Sequence, residues 1–242
     1  MVYIIIMYLH YGKIPIPVLF ENDSCFVFDK PAGLAVQGGE GIKVSLDSIL
    51  SENIPSRPHL VHRLDRDTSG VILVAKTKEA AAGFSLLFSG QKNPGKKNCH
   101  AVKQYLGICN GVPGPEQGVI RLSLDIRGQE KESETFYKKL KSGTSGEMTF
   151  SLLELELGTG RMHQIRRHLA LNGNPLLGDD KYGDFPLNKK LRQNLGLKNL
   201  LLHASRLVIS PFPELLPEGL DVQAPLPPYF STFLTVLNLN PR

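Results

Sequence analysis

The chain has 242 residues, which is enough to bury one large core or two small ones. Its 41% hydrophobic and 21% charged residues are ordinary for a soluble globular protein. The 28 Lys and Arg against 23 Asp and Glu give a net charge of +5, which favours a polyanionic partner over a basic one.

The cysteines and the N-terminal segment exclude several classes of protein. Cys25, Cys99 and Cys109 form no CxxC pair, so neither a zinc site nor a disulfide framework is indicated, and a reducing, cytoplasmic setting is the simplest interpretation. Residues 1–17 are apolar but short, follow no basic region and contain the polar residues of "HYGK". They fit neither a signal peptide nor a membrane-spanning helix, and we expect an extended segment packed on the body, or the remnant of an upstream connection.

The first part of the chain mixes short strands with short helices. "VLFENDSCFVFDK" predicts two strands around an Asn-Asp-Ser turn, and "SLDSILSEN" predicts a helix with Ser45 as N-cap and Ser48 at the capping-box position. Two apolar strands then flank "HRLDRDTSG". "TKEAAAGFSLLFSGQ" predicts a helix with Thr77 as its N-cap.

The rest of the chain continues this mixed order. Strands are predicted at "KQYLGICNG", over 119–140 with an edge-like "GQEKESETFYKKL", at "TFSLLELELGTG" and at "LLLHASRLVIS". Helices are predicted at "RMHQIRRHLALNG", closed by Gly173, at "PLNKKLRQNLG" and at "PPYFSTFLTVLNL". Short elements without a regular β-α-β rhythm indicate an α+β fold with a largely antiparallel sheet, and the dispersed Pro and Gly indicate one domain.

The densest polar cluster lies in the turn between the two strands around residue 65. Seven polar residues fall within eight positions there: His62, Arg63, Asp65, Arg66, Asp67, Thr68 and Ser69. An aspartate between strands most often caps turn amides, and the short oxygens of residues 67–69 have this local explanation. Because so many polar groups are costly to bury without pairing, the turn around Asp65 fits the floor of a cleft better.

A second cluster, "GRMHQIRRHLALNG", places cationic residues around the start of a helix. Met162, Ile165 and Leu169 supply an apolar stripe at spacings of three and four. The cationic residues fit either a solvated basic face or a helix that points one arginine inward and others towards phosphates. His163 and His168 lack metal-ligand spacing and an acidic companion, so we reject a zinc site.

Two other features are less specific. Tyr105 lies in a predicted strand, where a tyrosine most often packs in a core but can also stack on a base. "QGGEG" lacks the Lys-Ser/Thr pair of a P-loop, so nucleotide binding receives little weight.

Five motifs occur in the order found in RluA-type pseudouridine synthases: "DKPAGLAVQGG", "HRLDRDTSGVILVAK", "KQYLGICNG", "GRMHQIRRHLALNGNPLLGDDKYG" and "LLLHASRL". They most resemble the RluC branch, which modifies large-subunit ribosomal RNA, and the resemblance covers about residues 18–235. It implies an α+β catalytic domain at 18–242, with a mixed, mostly antiparallel sheet, flanking helices and a central active-site cleft. Residues 1–17 would be an N-terminal extension, too short for the S4 RNA-binding domain of many relatives.

The resemblance also implies the chemistry. The family isomerises uridine to pseudouridine: the N1–C1′ bond breaks, the uracil turns and C5 bonds to C1′, so neither a cofactor nor a metal is required. By resemblance Asp65 is the single carboxylate, which either attacks carbon covalently or abstracts the C2′ proton to give a glycal; both routes stay open. Arg166 would keep this carboxylate ionised. Tyr105 would stack on the uracil and assist proton removal at C5, and Ile165 would form an apolar wall.

Other residues are assigned to RNA binding. Arg63 would fill the space left by the extruded uridine and offset part of an extrusion cost of about a few kcal/mol. His62 belongs to the same motif and is assigned to the substrate. Phosphate contacts would come from Lys92, Lys96, Lys97, Arg161 and Arg167. We therefore expect a cytoplasmic monomer with no membrane contact that acts on ribosomal RNA, with tRNA as the alternative substrate.

The chain departs from the family pattern at Gln37, where many relatives have His, and at Met162, where Thr or Ser is more frequent. Two other functions stay open: a non-catalytic RNA-binding or ribosome-assembly protein on the same fold, and hydrolysis of a nucleoside or sugar. The presence of Asp65, Tyr105 and Arg166 argues against the first, and the lack of a second acid in either motif argues against the second.

Overall fold

The computed structural model describes residues 9–89, 99–126 and 128–241. The chain forms two compact units, each built from two separate segments. The first unit comprises Met1–Val102 and Ala204–Pro225, and the second unit comprises Lys103–His203 and Leu226–Arg242. The single catalytic domain expected over 18–242 stays a prediction.

The strands in chain order are β1 (Leu9–Tyr11), β2 (Ile14–Ile16), β3 (Val18–Glu21), β4 (Cys25–Lys30), β5 (His59–Leu60), β6 (Ser69–Ala75), β7 (Ala101–Asn110), β8 (Gln117–Ile126), β9 (Gln129–Ser145), β10 (Met148–Leu157), β11 (Leu202–Ile209) and β12 (Leu220–Gln223). The helices are α1 (Leu46–Asn53), α2 (Lys78–Ser89), α3 (Gln164–Leu171), α4 (Phe185–Leu195) and α5 (Pro228–Val236). This mixed order confirms the α+β prediction.

In the first unit, β3, β4, β6 and β11 lie side by side in that order, and β5 adds to β6. β4 and β6 are antiparallel, from Cys25 opposite Ala75 to Lys30 opposite Gly70. Every residue of β6 is buried, as its continuous apolar run predicts. The described part of the N-terminal segment is extended, because β1 and β2 form an antiparallel hairpin. The core of this unit includes Val27, Leu73, Phe84 and Phe212.

In the second unit, β7, β10, β9 and β8 lie side by side in that order, and each neighbouring pair is antiparallel. β9 pairs with β8 over Gln129–Lys138 and with β10 over Thr135–Ser145. The prediction of an edge-like "GQEKESETFYKKL" therefore holds for residues 129–134, which pair on one side only, and is wrong for residues 135–138, which pair on both. From residue 133 onwards, buried Ser133, Thr135 and Tyr137 alternate with more exposed residues, so this part of β9 has one exposed face. The core of this unit includes Ile108, Phe150, Leu191 and Phe230.

The predicted helix starts are confirmed for α1 and α2. Ser45 Oγ accepts a hydrogen bond from the amide of Ser48 (3.2 Å), and Ser48 Oγ accepts one from the amide of Ser45 (3.0 Å), which completes a capping box. Thr77 Oγ1 accepts a hydrogen bond from the amide of Ala80 (3.1 Å) at the start of α2.

α3 is shorter than its sequence predicts. The prediction that Met162 belongs to the apolar stripe is wrong. The left-handed backbone of His163 (φ 53°) precedes the helix, so Met162 lies outside it and is 52% exposed. Ile165 and Leu169 are buried as predicted. Gly173 follows the helix with φ 79°, the left-handed conformation that closes many helices.

Candidate active site

Asp65 lies in the loop that joins β5 to β6 in the first unit. Its backbone carbonyl accepts a hydrogen bond from the amide of Thr68 (3.2 Å), which closes a turn. Asp65 is half-buried, whereas Thr68 and Ser69 are buried and Arg63 is exposed. The two strands predicted on either side of the turn around Asp65 are β5 and β6.

Lys30, the last residue of β4, anchors this loop. Its ammonium donates hydrogen bonds to the carbonyl oxygens of Pro31 (2.9 Å), Leu34 (2.8 Å) and Arg66 (3.1 Å). The same carbonyl of Arg66 accepts a hydrogen bond from the amide of Gly33 (2.9 Å), and Arg66 Nε donates to the carbonyl of Gly33 (3.1 Å). The segment "DKPAG" therefore holds the residue that follows Asp65.

The surroundings of Lys30 shift the pKa of its side chain in opposite directions. The side chain is fully buried, and burial lowers its pKa to about 7. The negative charges of Asp67, Asp65 and Asp29 act in the opposite direction. Lys30 lies in the family motif "DKPAG", which could have marked it as a functional residue. Only the structure shows that the lysine is buried.

His62 is held by structural contacts within the first unit. Its Nε2 accepts a hydrogen bond from the amide of Leu73 (2.9 Å), and its ring packs on the ring of Phe88 with centroids 4.4 Å apart. These contacts attach the loop to β6 and α2. The assignment of His62 to the RNA substrate stays a prediction.

Tyr105 and Ile165 are buried in the second unit, with exposed fractions of 6% and 5%. Tyr105 in β7 stands opposite Leu155 in β10, which stands opposite Tyr137 in β9. Because directly opposed residues project from the same face of a sheet, these three side chains form one row. Ile165 lies in the first turn of α3. Their contacts with the uracil stay predictions.

Arg166 in α3 is held by two aspartates that the sequence predictions did not include. Its Nε and Nη2 donate to Asp179 Oδ2 and Oδ1, both at 2.8 Å, and Nη2 lies 3.3 Å from Asp180 Oδ1. Arg166 is 3% exposed and Asp179 is 1% exposed. Asp179 lies in "GDDKYG", which is part of one of the five family motifs. The motif could have marked this aspartate as functional, but it does not show that Arg166 is its partner.

Asp179 is ionised in spite of its burial. Burial acts to raise the pKa of this carboxyl, but hydrogen bonds from Arg166 and from the amides of Tyr182 and Lys181 hold the pKa below its usual range. The pair is therefore a charged one at neutral pH.

The sequence matches the family model described as RNA pseudouridylate synthase over residues 24–171. This match covers more than half of the 242 residues. The chain belongs to this family. It is an RNA pseudouridine synthase, an isomerase acting on RNA, as its motifs predict.

Individual relatives agree with the family match. Ribosomal large subunit pseudouridine synthase C of Rickettsia bellii (strain RML369-C) is 35% identical over an alignment of 228 residues, and the match covers 88% of this chain and 69% of that protein. RNA pseudouridine synthase 4, mitochondrial, of Arabidopsis thaliana is 36% identical over an alignment of 196 residues, and the match covers 69% of this chain and 40% of that protein. The solved structure of Human RNA Pseudouridylate Synthase Domain Containing 4 has a TM-score of 0.71 and 28% identity, covering 91% of this chain and 92% of that one.

The cations assigned to phosphates differ in their surroundings in this pseudouridine synthase. Arg161 is exposed just before α3. Arg167 is half-buried, and its Nη1 donates a hydrogen bond to the backbone carbonyl of Asp125 (3.0 Å). The three remaining members of the predicted set, Lys92, Lys96 and Lys97, lie outside the described residues.

His168 of the synthase is a buried structural histidine. Ser133 Oγ donates to the carbonyl of Leu122 (2.7 Å) and lies 2.9 Å from His168 Nε2, so Nε2 carries the proton and donates to Ser133. His168 Nδ1 has no hydrogen-bond partner among the residues that the structure describes. Burial is the main cause that lowers the pKa of His168, and the charge of Arg167 lowers it further.

Within the described ranges 9–89, 99–126 and 128–241, no helix is long and apolar enough to cross a membrane. The same ranges contain no cluster of three His, Cys, Asp or Glu side chains arranged to hold a metal ion.

Proposed function

We propose that this pseudouridine synthase isomerises specific uridines of large-subunit ribosomal RNA, as a cytoplasmic monomer. The observation that carries the proposal is the 35% identity, over 88% of the chain, to a protein named ribosomal large subunit pseudouridine synthase C. The net charge of +5 supports a polyanionic substrate.

Asp65 is the reacting carboxylate in this proposal. Its support is the HRLD motif and its place in a loop anchored by a buried lysine. The carboxylate either bonds to a substrate carbon while the N1–C1′ bond breaks, or takes the C2′ proton and leaves a glycal. In the first route the bond to the carboxylate breaks as C5 bonds to C1′; in the second the N1–C1′ bond also breaks, C5 bonds to C1′ and the carboxylate returns the proton to C2′. In both routes the base is retained, the proton on C5 leaves, N1 gains a proton and no net water is consumed. One carboxylate can therefore serve successive steps.

Tyr105 and Arg166 belong to the same proposed reaction. Tyr105 stacks on the uracil and assists removal of the C5 proton. Arg166 supplies a positive charge that favours an ionised carboxylate, and its guanidinium is held in place by Asp179. Ile165 provides an apolar wall for the base.

The test uses total RNA from a strain that lacks this gene. Purified wild-type protein should restore pseudouridine at defined positions of the large-subunit ribosomal RNA. Asp65→Asn removes the carboxylate with little change of shape, and we expect a rate loss of roughly 10²- to 10⁴-fold. The control is Asp23→Asn, which removes an exposed carboxylate from the turn between β3 and β4 and should retain activity.

Two outcomes would contradict the proposal. A folded Asp65→Asn protein with wild-type activity would exclude Asp65 as the reacting group. Pseudouridine that appears only in the tRNA fraction would exclude the ribosomal substrate while leaving the reaction class intact.

A further inference from the structure

Asp179 and Arg166 form a two-point ion pair inside the second unit. Two nitrogens of the guanidinium, Nε and Nη2, each face one carboxylate oxygen at 2.8 Å. The side chain of Arg166 is 4% exposed and that of Asp179 is 0% exposed. Two parallel hydrogen bonds fix the plane of a guanidinium as well as its position, which one bond cannot do.

Asp179 is itself fixed by its own backbone loop. Its Oδ1 accepts hydrogen bonds from the amides of Lys181 and Tyr182, both at 2.9 Å. The carboxylate therefore has two backbone donors in addition to Arg166, and its orientation does not depend on the arginine alone.

Asn188 ties this loop to α4 on both sides of Asp179. Its Nδ2 donates to the carbonyl of Asp179 (2.9 Å), and its Oδ1 accepts from the amide of Gly178 (2.9 Å). Asn188 is 5% exposed. The chain of contacts runs from α4 through Asn188 to Asp179 and from there to the guanidinium.

Tyr182 covers the guanidinium from another side. Its ring centroid lies 5.4 Å from Arg166 Cζ, within the range of a cation–π contact, and its hydroxyl lies 3.0 Å from His163 Nδ1. His163 immediately precedes α3, so the ring is held to the helix that carries Arg166.

We infer that Asp179 is a positioning residue for Arg166: its carboxylate sets the plane and position of the guanidinium for the isomerisation. This inference rests on the proposed role of Arg166 in that reaction. A buried ion pair is weak evidence for stability, because the cost of desolvating both charges offsets most of their attraction. A pair with this geometry is better explained by the orientation it imposes.

The chain offers a matched control pair. Arg206 and Asp221 in the first unit make the same two-point pairing through Nε and Nη2. Their side chains are 36% and 51% exposed, in contrast to the buried pair. Asp221→Asn therefore makes the same chemical change where no positioning role is assigned.

The experiment measures the single-turnover rate at saturating RNA and the KM, on a ribosomal RNA fragment that the wild-type enzyme modifies. We expect Asp179→Asn to lower the rate by about 10²-fold, the effect of a small misplacement of a catalytic group, with KM changed by less than about threefold. Asp221→Asn should stay within about twofold of the wild type in both quantities. A defect of folding alone would lower the active fraction and not the rate per active site.

A double-variant comparison shows whether Asp179 acts through Arg166. Arg166→Lys keeps the charge but cannot make the two-point pair, so adding Asp179→Asn to it should lower the rate by less than about threefold. Asp179→Glu keeps the charge but moves the carboxylate by one methylene, and it should also slow the reaction. This second variant keeps the test decisive if Asp179→Asn does not fold.

The outcomes separate this inference from the proposed function. If the wild type is active and Arg166→Lys is slow, a wild-type rate for folded Asp179→Asn or Asp179→Glu overturns the positioning role. Losses that multiply independently in the double variant overturn it as well. A wild-type rate for Arg166→Lys would instead overturn the proposed role of Arg166.

Discussion

The buried ammonium of Lys30 donates a hydrogen bond to the backbone carbonyl of Arg66, the residue that follows Asp65. Lys30 ends β4, which is antiparallel to β6, the strand that follows the loop, so a neighbouring strand supplies the anchor of the loop. A lysine in this position satisfies three carbonyl groups of irregular backbone at once. Without the lysine, the carbonyls of Pro31 and Leu34 would lose this donor, whereas that of Arg66 would keep the amide of Gly33.

Lys30→Met should destabilise the protein through this loss. Methionine fills a similar volume but leaves buried carbonyls without a donor, and we expect the free energy of unfolding at pH 6 to fall by roughly 2 to 4 kcal/mol. Urea denaturation measures this change, and the rate of pseudouridine formation should fall with it. Lys43→Met, at an exposed lysine, should stay within about 0.5 kcal/mol of the wild type. Equal stability of the two variants would exclude the anchoring role.

His168 should make the protein sensitive to acid. Its pKa in the folded state lies below the ordinary value of about 6.5, because burial disfavours the imidazolium. The unfolded chain therefore binds this proton more readily, and the stability present above pH 6.5 is lost as the pH falls through the lower pKa of the folded state. Protonation would also place a donor on Nδ1, which faces no described acceptor.

The check on His168 compares slopes of stability against pH. Urea denaturation of His168→Gln, which can still donate to Ser133, should show a flatter decline below about pH 6.5 than the wild type. His10→Gln, at an exposed histidine, should keep the wild-type slope. An unchanged slope in His168→Gln would mean that other groups cause the acid sensitivity.

Local patterns in the sequence predicted much of this fold. The capping residues Ser45 and Thr77 start helices where expected, and Gly173 follows the end of α3. The apolar runs on both sides of Asp65 are strands β5 and β6. These features depend on residues close together in the chain, so a single sequence contains them.

The features that the sequence did not reveal depend on tertiary contacts. A polar strand on a sheet edge and a polar strand with one exposed face have similar sequences, and only the pairing shows that β9 has one partner over residues 129–134 and two over residues 135–138. The partner of Arg166 lies 13 residues away in a loop, at no helical or strand spacing. Met162 has the right spacing for the stripe, but the left-handed residue His163 starts the helix after it.

Gly70→Ala should disrupt the start of β6 directly after the Asp65 loop. Gly70 has φ 109°, and an added Cβ would lie 2.1 Å from the carbonyl oxygen of Ala204 in the same unit. Because the obstacle is backbone and not a movable side chain, we expect a loss of roughly 4 kcal/mol or more in the free energy of unfolding. Gly173→Ala is the control, since Gly173 has φ 79° but no atom near the added Cβ. It should lose only about 1 kcal/mol.

The Gly70 comparison separates backbone strain from steric overlap. Both substitutions impose a left-handed conformation on alanine, but only one meets another strand. Similar losses of unfolding free energy in the two variants would show that the close approach of Ala204 to Gly70 does not limit stability.

Arg63→Ala should impair action on folded RNA more than on unstructured RNA. Arg63 is an exposed residue two positions before Asp65, and its proposed role is to occupy the space left by the extruded uridine. Extrusion from a stacked helix costs about a few kcal/mol, and a loss of about 1 kcal/mol of compensation lowers the rate about fivefold. A short single-stranded RNA needs no extrusion, so its rate should change by less than about twofold.

The Arg63 measurement uses two RNAs with the same target sequence, one folded and one too short to pair. Arg57→Ala is the control, because Arg57 is 71% exposed and makes only a surface pair with Asp47. It should leave both rates unchanged. If Arg63→Ala slowed both RNAs equally, with a weaker dependence of binding on salt, Arg63 would be a phosphate contact and not a substitute for the extruded base.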